Sequence, residues 1–400
     1  MTIRFKGQIS PARQAAFEVL AAVSEGRYAS DLLRERTRAL ESRDAGLAAQ
    51  IVFGVLRYQA QLDYLIESYS RRRVNTLDQA VLITLRTGIF QLRYLERIPP
   101  HAAVHETVEL TKQHQRAAAG LVNAVLRKVR RNPVPWPNRA TELSCPEWLL
   151  RRWTEHFGPQ RAIAIAKAAL AQPVPYIRIP PGTDPPPGWA VEPTAVPGAF
   201  RLTMPPGADV LPKNLRLHDI SSQAILPLLQ LQPGNSYLDL CAAPGNKTLQ
   251  ALETTLGLAV ACDISPKRIR SVPPVCPRVV LDGTKPLPFN RAFDRVFIDA
   301  PCSGTGTIGR NPEIKWRVQE PDFRDFSERQ MQLVLRGLDA LAPGGKLLYA
   351  TCSLEREENE DVLRELQRLQ PRVQVQGTMW RIPGEEEGDG FFGALLGLRT

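Results

Sequence analysis

Apolar side chains recur every three to four positions through the first third of the chain, then give way beyond about residue 217 to short continuous runs. Ser10-Pro11 reads as an N-cap and first-turn pair that opens Ala15, Ala16, Val19, Leu20 and Val23 at helical spacing. From about Asp44 to Ser70 one long helix is predicted, carrying Ile51, Val52, Val55, Leu56, Leu62, Leu65 and Ile66 on its apolar face. The next is opened by Thr76, carries Val81, Leu82, Leu85, Ile89 and Leu92, and is stopped by Pro99-Pro100. Two more helices are expected around residues 102–113 and 117–131. No strand pattern interrupts them, so residues 1–135 are expected to form an all-helical bundle.

Residues 136–216 read as a connecting region: helix candidates at Glu147–His156 and Gln160–Ala171, then a Pro-rich stretch over Gln172–Pro212. Its Pro185-Pro186-Pro187 and Pro205-Pro206 forbid helix and interior strand, leaving edge strands and extended linker. From residue 217 to 400, β-rich runs at Tyr237–Cys241, Leu258–Ile264, Arg278–Leu281, Phe293–Ala300 and Lys346–Cys352 alternate with helical segments. That alternation predicts a parallel sheet with helices on both faces. Val373–Gln376 and Phe391–Leu398 are expected to complete it along an antiparallel edge. Only Ser265–Pro277, broken by Pro273-Pro274, separates the second run from the third, so a stunted helix is expected there.

Charge adds a division that hydropathy does not show. Residues 1–140 hold 22 Lys and Arg against 12 Asp and Glu, a net of +10; the rest holds 29 against 29. The whole excess lies on the helical third, with clusters at Arg71-Arg72-Arg73 and at Arg127, Lys128, Arg130 and Arg131; charge alone fits equally a domain that binds a polyanion, nucleic acid first, and a solvated basic face kept for solubility. A composition 43% hydrophobic and 23% charged excludes a mostly disordered chain. No run is long enough to cross a bilayer, and the start carries no apolar signal core, so a cytoplasmic protein with free thiols is expected. Six cysteines without a C-x-x-C pair argue against a zinc site or a disulfide framework, and no metal is expected.

Five strand ends carry the candidate chemistry, and in an open α/β sheet they all face one edge. The first continues as Asp239-Leu-Cys-Ala-Ala-Pro-Gly-Asn-Lys-Thr248, the second ends in Asp263 and the third in Asp282. The fourth runs Asp299-Ala-Pro-Cys-Ser-Gly304 and the fifth Thr351-Cys-Ser353. The first loop has neither the G-x-x-x-x-G-K frame of a phosphate-binding loop nor G-x-G-x-x-G. Asp263, 18 residues past Gly245, stands about where a Rossmann-like fold places its ribose-binding carboxylate. Asp282 could accept a hydrogen bond from an adenine amino group. A nucleoside cofactor without phosphates fits, namely S-adenosylmethionine.

These strand-end motifs resemble, in order and spacing, the RNA 5-methylcytosine methyltransferases. Upstream, Gln91-Leu92, Ile98-Pro99, His101-Ala-Ala-Val-His-Glu-Thr-Val108 and Leu121-Val-Asn-Ala-Val-Leu-Arg127 resemble the NusB-like helical domain of one branch. That branch is the Sun, or ribosomal small-subunit methyltransferase B, family, which Pro146-Glu-Trp-Leu149 and Gly309-Arg-Asn-Pro-Glu-Ile-Lys-Trp316 also fit. The resemblance implies a multidomain chain: an N-terminal all-α NusB-like bundle and a C-terminal α/β class I (Rossmann-like) S-adenosylmethionine-dependent methyltransferase domain. It further implies a cofactor site over Cys241, Ala242, Ala243, Pro244, Gly245, Asn246, Lys247, Asp263, Arg268, Asp282 and Asp299. The implied substrate is 16S rRNA, free or in an early assembly state, at the cytosine conventionally numbered 967. A tRNA or another rRNA cytosine stays open as target, DNA and membranes are not expected as partners, and a monomer is the default. Asn246 departs from the family, which usually has a second glycine there; Asn tolerates positive φ, so the turn is expected to survive.

Cytosine C5 is a poor nucleophile toward a methyl sulfonium. A thiolate added at C6 makes C5 enamine-like, and after methyl transfer the C5 proton must leave before the thiol can. The residues alone do not decide which cysteine attacks; the resemblance assigns attack to Cys352, product release to Cys302, base contact to Asp299 and an active-site role to Lys247. A lone strand-end cysteine is more often a packing residue, and Cys145, Cys241, Cys262 and Cys276 are read that way. None of the five histidines is assigned to catalysis. Two other readings compete: a non-catalytic RNA-binding factor on the same scaffold, and an amino-group methyltransferase, which would want Asn/Asp-Pro-Pro-aromatic where residues 299–302 are Asp-Ala-Pro-Cys.

Overall fold

The structure is a computed structural model and describes residues 9–203, 215–290 and 292–399; Pro205-Pro206 lie outside the described residues. The chain folds into two compact units: residues up to Ala171 together with Gly309–Arg317, and Gln172–Ile308 together with Val318 onward.

The first unit is helical: α1 (Pro11–Ser24), α2 (Ala29–Arg36), α3 (Ser42–Arg57), α4 (Gln59–Ser70), α5 (Gln79–Tyr94), α6 (Pro100–His114), α7 (Ala119–Leu126), α8 (Arg139–Glu142), α9 (Glu147–Phe157) and α10 (Pro159–Leu170). The predicted apolar stripes of α1, α3, α4 and α5 meet in one core that includes Val19, Ile51, Leu62 and Ile89. Gly54 sits where a Cβ would fall 1.9 Å from the Phe90 ring, so the close approach of α3 and α5 requires glycine. Buried polar groups lock α1, α5 and α6 together: Arg13 pairs with Glu106 at 3.0 Å and donates to Gln91 at 2.7 Å.

Three expectations are corrected here. The single helix from Asp44 to Ser70 is two helices broken at Tyr58, whose ring stacks on Tyr94 at 4.4 Å and whose hydroxyl reaches the Leu170 carbonyl. Turning that ring inward bends the backbone, and the freed Ala60 amide is capped by Ser144 Oγ at 3.1 Å. Helix α5 is capped by Asp78, whose Oδ1 accepts from Ala80 and Val81, rather than by Thr76. Pro99-Pro100 begins α6 rather than ending α5, with Pro100 in the first turn where its missing N–H costs nothing. The segment α13 (Ile314–Arg317) belongs to this unit: Trp316 Nε1 donates to the Leu56 carbonyl at 2.7 Å and the buried Lys315 Nζ to the Arg57 carbonyl at 2.8 Å.

The second unit opens with three antiparallel strands, β1 (Tyr176–Arg178), β2 (Val191–Pro193) and β3 (Ala199–Leu202), in the order β1-β3-β2. Short strands are what the prolines of this stretch permit. Then follow α11 (Ile220–Ile225), β4 (Ser236–Asp239), α12 (Asn246–Ala251), β5 (Leu258–Asp263), β6 (Arg278–Val280), β7 (Phe293–Asp299), α14 (Glu320–Asp339), β8 (Leu341–Thr351), α15 (Glu360–Leu369), β9 (Val373–Arg381) and β10 (Phe391–Leu398). The seven-stranded sheet has the order β6-β5-β4-β7-β8-β10-β9, with β4 to β8 parallel and β10 antiparallel to both β8 and β9. The predicted antiparallel edge is therefore present. Between β5 and β6 the expected stunted helix shrinks to one 3-10 turn, Ile269–Ser271, cut short by Pro273-Pro274. Leu238, Val296, Ile298 and Leu347 pack on one face of the sheet, Tyr237, Phe297, Leu348 and Ala350 on the other. Among the described residues no helix is long and apolar enough to cross a membrane.

Candidate active site

Strand order reverses at β4: the chain runs outward to β5 and β6, then returns to place β7 on the other side of β4. Such a switch point opens a crevice beyond the carboxyl ends of the two central strands. Here those ends are Asp239 and Asp299.

Asp239 is 1% exposed and accepts at Oδ2 from Thr248 Oγ1 at 2.7 Å. Burial, reinforced by the nearby Asp299 charge, raises its pKa to about 7. From Asp239 the chain passes through Cys241, Ala242, Ala243 and Pro244 to Gly245, whose φ is +103°. A Cβ on Gly245 would lie 3.0 Å from Val272 Cα and 3.1 Å from Pro273 Cδ, so glycine is required for both the dihedral and the space. The positive φ expected at Asn246 is thus at Gly245; Asn246 is the first residue of α12 and donates from Nδ2 to the Leu217 carbonyl at 3.1 Å. Arg178 braces the far end of this short helix through a bidentate pair with Glu253.

Three sets of bonds gather the predicted residues along the sheet edge. On one side, Ala243 N donates to Asp263 Oδ2 at 3.3 Å, and Arg268 donates to the Ala243 carbonyl at 2.9 Å. Asp263 is 3% exposed, and its other oxygen accepts from Ser265 N at 2.9 Å. Asp282 Oδ1 accepts from the amide and hydroxyl of Thr284, at 3.0 and 2.7 Å, and those bonds lower its pKa. At the centre, Lys247 Nζ lies 2.6 Å from Asp299 Oδ2 and 4.8 Å from the centroid of the Phe391 ring, bridging the first and fourth strand-end loops. On the other side, Cys302 Sγ and Cys352 Sγ are 3.1 Å apart, both half-buried, at the ends of the neighbouring strands β7 and β8. The contact with the Cys352 sulfur, then burial, pushes the Cys302 thiol well above its ordinary range. Burial does the same for Cys241 and Cys262, which keeps them protonated and inert.

Carboxylates at successive strand ends suit a nucleoside bearing a neutral sugar and an amino group. Among the described residues no cluster of His, Cys, Asp and Glu is arranged to hold a metal.

Residues 226–397 match the family described as 16S rRNA methyltransferase RsmB/F, and residues 10–131 match the NusB family. Over 418 residues the chain is 32% identical to ribosomal RNA small subunit methyltransferase B of Cronobacter sakazakii, covering 96% of this chain and 97% of that one. The chain belongs to the ribosomal RNA small subunit methyltransferase B family. The same protein of Citrobacter koseri is 33% identical over 423 residues, with 96% and 97% covered. In fold, the family member resembles the solved structure of PH0851, with a TM-score of 0.80 at 22% identity over 97% of this chain and 99% of that one. It also resembles NSun6 from Pyrococcus horikoshii, solved with SFG, with a TM-score of 0.54 at 17% identity over 63% and 97%. It is thus a methyltransferase, a NusB-like helical domain joined to a Rossmann-like catalytic one, and its methyl donor is S-adenosylmethionine.

The sequence reading missed the groups beneath the two thiols. Ser303, Ser353, Gln330, Glu358 and Asn359 form a buried hydrogen-bonded network there. The one signal was Arg356-Glu-Glu-Asn-Glu360, a polar run directly after a strand-end motif, which reads equally well as the solvated start of a helix.

Proposed function

We propose that this chain methylates C5 of a cytosine in RNA through a covalent bond between Cys352 and C6. The observation that carries the reading is the pair of thiols 3.1 Å apart at the ends of β7 and β8, beside the Lys247–Asp299 pair. Neither thiol has a use in methylating an exocyclic amine or a ribose hydroxyl. Both have one when a ring carbon must be activated and then released.

The Cys352 thiolate uses a lone pair to form the S–C6 bond, and the displaced C5–C6 π pair makes C5 the nucleophile. S-adenosylmethionine supplies an electrophilic methyl group. Asp299, held by Lys247, faces N3 and the exocyclic amine, where hydrogen bonding stabilises charge as it develops. A base then takes the C5 proton, the C5–H electron pair re-forms the C5–C6 double bond, and the S–C6 bond breaks with its pair returning to Cys352; Cys302, in contact with the attacking sulfur, assists this collapse. Ala243, Gly245, Asp263 and Asp282 would form the nucleoside side of the cofactor site, where Asp263 would accept from the ribose hydroxyls and Asp282 from the adenine amine.

The helical residues 1–135 contribute RNA affinity and residues 217–400 the chemistry. Lys128 Nζ donates to the carbonyl of Tyr69, next to the end of α4, which draws the Arg71–Arg73 and Arg127–Arg131 clusters into one exposed basic patch. The names of the relatives support small-subunit rRNA as substrate; the cytosine numbered 967, reached before the particle is finished, is what the family resemblance adds. C6 must be approached from the ring face, so the target is single-stranded or flipped out. Incubation with labelled S-adenosylmethionine and free 16S rRNA, followed by nucleoside analysis, tests the proposal. Label in 5-methylcytidine is expected; label confined to another nucleoside would refute it.

A further inference from the structure

The loops that carry the two thiols are irregular backbone, and neither holds its partner in place by strand pairing. They are joined directly, Gly306 N donating to the Cys352 carbonyl at 2.9 Å and Leu354 N to Thr305 Oγ1 at 2.9 Å, and both are also bound to one side chain. Glu358 is fully buried, at the end of the 3-10 turn Arg356–Glu358. Its Oε2 accepts from the Ser303 amide at 2.9 Å and from Gln330 Nε2 at 3.0 Å. Its Oε1 accepts from Ser353 Oγ at 2.6 Å and from Ser303 Oγ. Ser303 follows Cys302 and Ser353 follows Cys352, so the residue after each thiol is bound to the same carboxylate. Asn359 adds a second tie, donating from Nδ2 to the Ser353 carbonyl at 3.0 Å.

A buried carboxylate is an expensive way to fill space, since desolvation opposes its charge and an apolar side chain of equal volume would pack without that cost. What a carboxylate offers here is acceptor capacity for four donors from three segments of chain. We infer that Glu358 is the positioning residue of the thiol pair: by accepting from the residues that follow both cysteines, it sets the distance between the two sulfurs. This rests on the two-thiol reading above and adds to it the part that keeps attacking and releasing groups in register. Misplacing a catalytic group by about an ångström costs up to about a hundredfold in rate.

The two substitutions at this position differ in what they can satisfy. Glu358→Gln can keep its carbonyl oxygen toward the Ser303 amide and Gln330, while its amide donates to two hydroxyls that are free to rotate and accept. Glu358→Ala leaves the Ser303 amide without its acceptor, returns Gln330 Nε2 to the Pro301 carbonyl at 3.1 Å, and removes the group to which both loops are tied.

The spacing of the sulfurs can be read without RNA or cofactor. In the full chain, diamide takes the two thiol hydrogens onto its N=N bond as a Cys302–Cys352 disulfide forms, and peptide mapping follows its rate. Glu358→Ala is expected to slow that rate at least about tenfold and to slow product release more than methyl transfer in a single turnover. Glu358→Gln is expected to stay within about threefold on both measures. If Glu358→Ala does not fold, the Ser303→Ala, Ser353→Ala double variant severs the Oε1 side and should slow disulfide formation likewise. A wild-type disulfide rate in folded Glu358→Ala, or in the double variant, would overturn the inference, as would Glu358→Gln being as slow as Glu358→Ala. Full methylation by Cys352→Ala would instead overturn the two-thiol mechanism and leave the disulfide result standing.

Discussion

Replacing Gly245 with alanine should weaken cofactor binding by a mechanism that the geometry specifies. The residue has φ +103°, and its Cβ would meet Val272 Cα at 3.0 Å, Pro273 Cδ at 3.1 Å and Val272 Cγ1 at 3.2 Å. Val272 cannot easily retreat: it is 1% exposed, its amide bonds to the Ile269 carbonyl, and its own carbonyl accepts from Arg278. Holding a non-glycine residue in this backbone region costs about 1–3 kcal/mol, before any cost of the contacts. The loop can relieve it only by moving Ala243, whose amide and carbonyl are bound to Asp263 and Arg268. A loss of about 1.4–2.8 kcal/mol in cofactor binding, or tenfold to hundredfold in Kd, is expected. For a domain of this size, melting should fall by about 4–8 °C for each 2 kcal/mol that appears as lost stability. Titration calorimetry with S-adenosylmethionine and thermal melting separate the two shares. Asn246→Gly is the control, because Asn246 has helical backbone and loses only its bond to Leu217, so Kd should change less than about threefold. Gly245→Ala with unchanged Kd and unchanged melting would refute the reasoning, and so would a larger effect at Asn246.

Asp282→Ala should weaken S-adenosylmethionine about tenfold without lowering the melting temperature, because among the described residues its carboxylate is hydrogen-bonded to Thr284 within its own turn. Asp263→Ala should weaken it further and also lower melting, since the buried carboxylate holds the Ala243 and Ser265 amides as well. Asp239 has a folded-state pKa raised to about 7, so its protonated form favours the fold: that contribution is fully present below about pH 4 and is lost as pH rises through 7. Urea melts of wild type and Asp239→Asn at pH 5 and pH 8 should therefore differ more in pH slope than in midpoint at pH 5, by at most about 4 kcal/mol; parallel curves would contradict it. Neutralising Arg71, Arg72 and Arg73 should weaken RNA binding and flatten its salt dependence by about one phosphate contact per productive arginine, with the methyl-transfer rate at saturating RNA unchanged.

The parallel sheet was legible because each strand carries a short apolar run closed by a polar strand end, and the chemistry sits on those ends. Asp239, Asp263, Asp299, Cys302 and Cys352 could be named for that reason. What escaped depends on partners distant in sequence. The break at Tyr58 is set by Tyr94 and Leu170, and nothing in the apolar spacing of residues 44–70 marks it. Asn246 looked like a left-handed position because a glycine was expected there, whereas the chain makes its left-handed turn one residue earlier. The grouping of Gly309–Arg317 with the helical unit rests on single bonds from Lys315 and Trp316 to carbonyls some 260 positions away, a relation that no local pattern records. Glu358 was hidden by its neighbours, since a glutamate among Glu357, Asn359 and Glu360 reads as solvated and only the fold turns it inward.

The covalent mechanism is tested most directly by supplying Cys302→Ala with S-adenosylmethionine and substrate RNA and running the products on a denaturing gel. If Cys352 attacks C6 and Cys302 serves release, Cys302→Ala transfers methyl, stalls, and stays attached to RNA as a shifted band. Cys352→Ala and the double variant should show no band and no methylation. A shifted band with Cys352→Ala and none with Cys302→Ala would exchange the two roles, and full turnover by both single variants would contradict a covalent mechanism in this protein.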